Sequence, residues 1–160
     1  MVEDVIRQLG HLTLGTRLKR IGERLQSQTQ RILDAHEVPI QAAQFPFVAA
    51  IDRLGPVTVG ELASAVGVTQ PAATRALAQL SEDGLVEIAQ ASGDQRRKSI
   101  TLTRQGKRLV DIGKRNVWQV IEAAVKHLCR GLSGSLLEQL AAIEDGLEEL
   151  PLDRRAQGRR

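Results

Sequence analysis

The chain has 160 residues, enough for one domain with an added helical part and for a sizeable buried core. With 42% hydrophobic residues it has neither a disordered nor a membrane-spanning composition. Aromatics are 2% with no Tyr, which leaves a core of Leu, Val, Ile and Ala and disfavours single-stranded nucleic-acid binding by base stacking; a net charge of +3 does not by itself imply a polyanionic partner.

The N-terminal third is helical by period. Leu14, Leu18, Ile21, Leu25, Gln28 and Ile32 step by four and three, which lines them along one helix face. Val2 to Leu9 forms a shorter segment before it, set off by Gly10 and Gly15, and Pro39 ends this part. No long apolar run opens the chain, so neither a secretory signal nor a membrane span is expected, and the lone Cys129 suits a reducing compartment. The expected location is the cytoplasm.

Phe45 to Leu54 reads as a buried helix stopped by Gly55-Pro56. Thr58 and Glu61 then form a capping box for the next helix, which Gly67 ends. Thr69 caps a further helix from Gln70 to Leu80, with Pro71 tolerated in its first turn. The two helices need small residues where they cross, and Ala63 and Ala73 supply them. Leu62, Val66, Val68, Leu77 and Leu80 are the expected anchors to the core. That burial leaves Gln70, Pro71, Thr74, Arg75 and Ala78 facing solvent, a face without acids. Arg can pair with guanine and Gln with adenine in a major groove, while Thr58, Thr69 and the helix N-termini suit phosphate.

Leu85 to Ile88 and Ile100 to Leu102 are short strand candidates around a basic loop, Ser92-Gly93-Asp94-Gln95-Arg96-Arg97-Lys98. Arg96, Arg97 and Lys98 suit a minor groove or phosphates, and Asp94 suits an internal brace for Arg96 or a cap on the turn. Thr103 caps a long helix expected to run to about Gly131, and a last helix spans Ser135 to Leu150 before Pro151. Charge is polarised along the chain. Eight Lys and Arg lie between Arg96 and Arg115 with Asp111 the one acid, whereas no Lys or Arg lies between Ser133 and Asp153.

Helix, tight turn, helix and cationic hairpin, in that order, make a winged helix-turn-helix. Thr58-x-x-Glu61-Leu62-Ala63, Gly84-Leu85-Val86, Asp94-x-Arg96 and Leu102-Thr103-x-x-Gly106 together resemble the MarR family of transcriptional regulators. The expected fold is mainly α with a small β-hairpin wing (α+β). Its divisions are a helical dimerisation region at 1–34 and 104–150, a winged helix-turn-helix at 40–103 and a basic flexible tail at 151–160. The resemblance implies a homodimer on a palindromic promoter site, with the helix from Gln70 in the major groove and Arg96 in the minor groove. The apolar stripes at both ends would supply a rigid dimer, which palindrome reading requires.

The resemblance also implies a repressor released by an aromatic acid-like effector, in a pocket lined by His11, Arg17, Phe45, Phe47 and Trp118. Phe45, Phe47 and Trp118 equally suit the core, and His11 a surface position. Cys129 reads as a small buried hydrophobe rather than a redox sensor. His11, His36 and His127 lack ligand spacing, and no nucleophile-base arrangement is visible, so neither metal, cofactor nor catalysis is expected. The alternative is a helical adaptor using a winged helix for protein contacts, whose surface would show large exposed apolar anchors.

Overall fold

The computed structural model describes residues 2–90 and 98–157. Its helices are α1 (Val5–Gln8), α2 (Leu14–Ala35), α3 (Phe45–Leu54), α4 (Val59–Val66), α5 (Gln70–Glu82), α6 (Arg104–Asn116), α7 (Trp118–Cys129), α8 (Leu136–Glu149) and α9 (Leu152–Gln157). Strands β1 (Val86–Gln90) and β2 (Lys98–Leu102) lie between α5 and α6 and pair antiparallel, Val86 opposite Leu102 and Gln90 opposite Lys98. The loop from Ala91 to Arg97, with Asp94, Arg96 and Arg97, lies outside the described residues. Two compact units divide the chain, Met1–Ile121 and Glu122–Arg160.

The core belongs to the first unit. Leu33, Val38, Ile40, Val48, Ile51, Leu62, Leu77, Leu80, Leu85, Ile100, Leu109, Val110 and Val117 are buried together. Burying each Leu, Ile or Val contributes about 1.5–3 kcal/mol, so this cluster fixes α3, α4, α5, the hairpin and α6 as one body. Val57 extends the sheet by exchanging both backbone hydrogen bonds with Ile100, at 3.1 and 2.8 Å.

At the N-terminus, Gly10 separates α1 from α2 through a 3₁₀ turn, while Gly15 stays inside α2. Asp4 caps α1 and its carboxylate takes two bonds from the Arg20 guanidinium, both 3.0 Å, which folds α1 back against α2. Arg20 and the Arg7 backbone N–H hold the Asp4 carboxyl below its ordinary 3.8. The stripe on α2 is only partly covered: Leu14, Leu18 and Ile21 remain exposed, while Leu33 at the far end is buried.

The expected single helix from Thr103 to Gly131 is two. Val117 leaves the helical range at φ −125° and is fully buried, and the indole of Trp118 packs back onto Gly113. In an unbroken helix residue 118 would lie about 140° around the axis from Gly113, away from that contact. Thr103 caps α6 as expected.

In the second unit none of the described residues is buried. Ser135 caps α8 through the Glu138 N–H. Beyond Pro151, where the sequence suggests an irregular tail, Leu152–Gln157 is helical. Pro is a favoured helix starter as well as a stop. Arg155 of α9 donates to the carbonyls of Leu150, at 2.8 Å, and Gly146, satisfying the C-terminal end of α8. Among the described residues no helix is long and apolar enough to cross a membrane.

Candidate nucleic-acid interface

The α4–α5 pair is built by local backbone chemistry. Thr58 accepts from the Glu61 N–H while the Glu61 carboxylate accepts from the Thr58 N–H at 2.8 Å, a reciprocal cap. The Thr58 hydroxyl also donates to Glu61 Oε2 at 2.8 Å, so that hydroxyl is already engaged within the cap. Gly67 then takes the left-handed conformation at φ 72°, its N–H reaching the Ser64 carbonyl while the Val68 N–H reaches that of Ala63. That motif fixes the turn and places Val68 outward at 37% exposure, not in the core as its apolar character suggests.

Thr69 caps α5 through the Ala72 N–H at 3.4 Å, and Pro71 sits in a regular first turn, where its missing N–H costs nothing. Ala73 is fully buried at the crossing, with Leu77 and Leu80 beneath it. The opposite side of α5 is open: Thr69, Gln70, Pro71, Thr74, Arg75 and Ala78 are all exposed. No acid occurs between Gln70 and Ser81, and no large apolar side chain stands on that face. The Thr74 hydroxyl donates to the Gln70 carbonyl at 2.9 Å, so what it keeps for a partner is its acceptor capacity.

The far end of α5 is anchored by a residue that sequence reasoning missed. Gln44, 6% exposed and the one buried polar side chain among the described residues, takes the Gln41 N–H at 3.0 Å and gives its own amide to Asp83 at 3.1 Å. Nothing in a lone Gln between Ala43 and Phe45 signals this, because its partner lies 39 positions away. Thr103 secures the hairpin base: its hydroxyl donates to the Gly84 carbonyl at 2.6 Å and accepts the Gly106 N–H at 3.0 Å. Lys98 stands exposed at the start of β2, beside the undescribed loop.

The five residues expected to line an effector pocket occupy different environments. Phe45 and Trp118 meet edge to face with ring centroids 4.8 Å apart. Phe47 is buried in the core, Arg17 is half-buried and His11 is exposed. Recesses of about 270 and 470 Å³ beside α2 are lined by other, mostly polar residues, including Glu23, Ser27 and Arg31. Among the described residues no group of three His, Cys, Asp or Glu side chains could hold a metal ion.

Comparison with known proteins agrees with this geometry. Residues 38–97, the segment that carries both helices and the hairpin loop, match the MarR family model. Over that stretch the chain resembles the MarR family. Its fold resembles the S. aureus MepR–DNA complex (21% identical, covering 86% of this chain and 96% of that one, TM-score 0.68). It also resembles a mutant MarR from E. coli complexed with operator DNA (23% identical, 92% and 98% covered, TM-score 0.62). Wild-type MarR from E. coli in its apo form is 25% identical over 82% of this chain and 95% of that one, with a TM-score of 0.55. In this chain α5 is seated on a buried scaffold and its opposite face is exposed.

Proposed function

We propose that this chain is a homodimeric DNA-binding transcription regulator that represses from a palindromic promoter site and is released by an aromatic acid-like effector. The observation that carries the proposal is the exposed, acid-free face of α5, with Gln70, Thr74 and Arg75 on a helix rigidly seated by Ala73, Leu77 and Leu80. Donors on such a face can meet base edges, and Thr69 and the helix N-terminus that Thr58 caps can meet phosphate. Lys98 stands exposed at the start of β2, and Arg96 and Arg97, outside the described residues, join the proposal from sequence alone. Two solved relatives, MepR and a mutant MarR, are DNA complexes.

The exposed apolar residues of α2 and of the second unit, Leu18, Ile21, Ile143 and Leu147 among them, support the dimer. The Phe45–Trp118 contact supports an aromatic effector, because a flat ring can replace one partner of that edge-to-face pair.

The test is selection of bound fragments from random duplex DNA, followed by affinity measurement across salt concentrations. Arg96→Ala weakens binding to all sequences and flattens the salt slope, whereas Arg75→Ala relaxes preference at one base position. Arg96→Ala protein with wild-type affinity at every salt concentration removes the wing from the mechanism. For the effector, titration with aromatic acids that leaves both Trp118 fluorescence and DNA affinity unchanged would sink that part of the proposal.

A further inference from the structure

Gln70, at the first position of α5, does not hang free. Its amide nitrogen lies 3.3 Å from where a Cβ on Gly60 would stand, so the carboxamide rests on the bare backbone of the first turn of α4. Gly60 has an ordinary helical backbone rather than a positive φ, so nothing in its own conformation calls for glycine. Glycine inside a helix is otherwise a disadvantage relative to alanine. The helical glycines of α2 differ in kind: a Cβ added at Gly15 or Gly22 would meet nothing within 4 Å.

We infer that Gly60 is a specificity-determining position: its missing side chain seats the Gln70 carboxamide in the orientation that reads a base edge. This rests on the DNA-reading role proposed above. A carboxamide already held against α4 loses less rotamer freedom on binding than a free glutamine does. A methyl group at residue 60 sits tighter against the amide than an ordinary contact. The amide is the far end of a flexible chain, so it swings aside and the fold is left intact. Gly60 is thus a positioning residue that acts through Gln70, without touching the DNA.

The experiment compares full-length wild type, Gly60→Ala, Gln70→Ala and the double variant, by competition binding against duplexes varied one base pair at a time. Gln70→Ala should lose roughly tenfold in discrimination at one position of each half-site, the scale of a base-edge contact. Gly60→Ala should lose roughly three- to tenfold at the same position, keep the wild-type salt slope, and melt at or above the wild-type temperature. The double variant should discriminate no worse than Gln70→Ala alone, as two steps through one contact do. Gly60→Ala protein with wild-type discrimination at that position overturns the inference, as does a double variant whose losses add. Wild-type protein that binds no duplex at low salt overturns the DNA-reading proposal instead, so the two failures are separable.

Discussion

Leu62, Ala73, Leu80 and Ile100 are sealed from solvent, whereas Leu137, Ile143, Leu147 and Leu150, on and beside α8, are between 42% and 78% exposed. Both sets are apolar, and Ala73 and Leu80 in the first, like Ile143, Leu147 and Leu150 in the second, recur at helical spacing. The first has partners from α3 to α6 within its own unit, while in the second unit no described residue is buried at all. Periodicity says which face of a helix is apolar. It does not say what covers that face, and here one region buries its apolar positions while the other leaves them exposed.

The contrast can be broken most forcefully from the core. Leu80→Ala removes a fully buried side chain on the core face of α5 and should cost about 2–5 kcal/mol, read as a lower midpoint in urea unfolding. If the variant unfolds at the wild-type midpoint, α5 is not held by this core.

Gly113→Ala probes the joint between α6 and α7. A Cβ there would collide with the Trp118 indole, which Phe45 already braces. Overpacking typically costs ~1–3 kcal/mol, and the better helix propensity of alanine returns ~1, leaving a loss of about 0–2. Because Trp118 is the sole tryptophan, the same variant should shift the emission spectrum. An unchanged spectrum would mean the indole does not sit on Gly113 in solution.

Leu147→Asp sharpens the comparison from the other side. In dilute protein it should change stability by no more than ~0.5 kcal/mol, since the side chain is half exposed and no described neighbour in its unit is buried. Under the dimer proposal it should also abolish the dependence of melting temperature on protein concentration. A large loss at high dilution would show that this face is covered within one chain.

The smallest effect lies at the N-terminus. Folding lowers the Asp4 carboxyl through its bonds to Arg20, so this interaction is present above the ordinary carboxylate value and is lost as pH falls through the lowered one. Docking of α1 should therefore persist at neutral pH and fail only as pH falls below the ordinary 3.8. In an NMR titration Asp4 should have its midpoint below 3.8, and Arg20→Ala should move it back up. A midpoint unmoved by that substitution would remove Arg20 as the cause.

The helix-turn-helix was legible because its signals are local: Thr58 with Glu61, Gly67 at the turn, Thr69 before Gln70, and small residues at the crossing. What escaped depends on distant or competing contacts. Val68 looks like a core residue, yet the hydrogen bonds around Gly67 set its direction before packing can. The break at Val117 arises from Trp118 folding onto Gly113, which an uninterrupted apolar period conceals. Pro151 ends one helix and starts another, with Arg155 capping the first. Gln44 carries no pattern at all, because its role is defined by Asp83. Of the expected effector residues, only Phe45 and Trp118 reveal a mutual contact, and aromatic rings alone could not separate that pair from core-bound Phe47.

Gly106 has no side chain, and a Cβ there would run into the backbone carbonyl of Leu85. With the Thr103 hydroxyl bridging Gly84 and Gly106, the start of α6, the root of the hairpin and the segment leaving α5 form one weld with almost no play. A rotation of α6 would therefore carry the root of the hairpin with it.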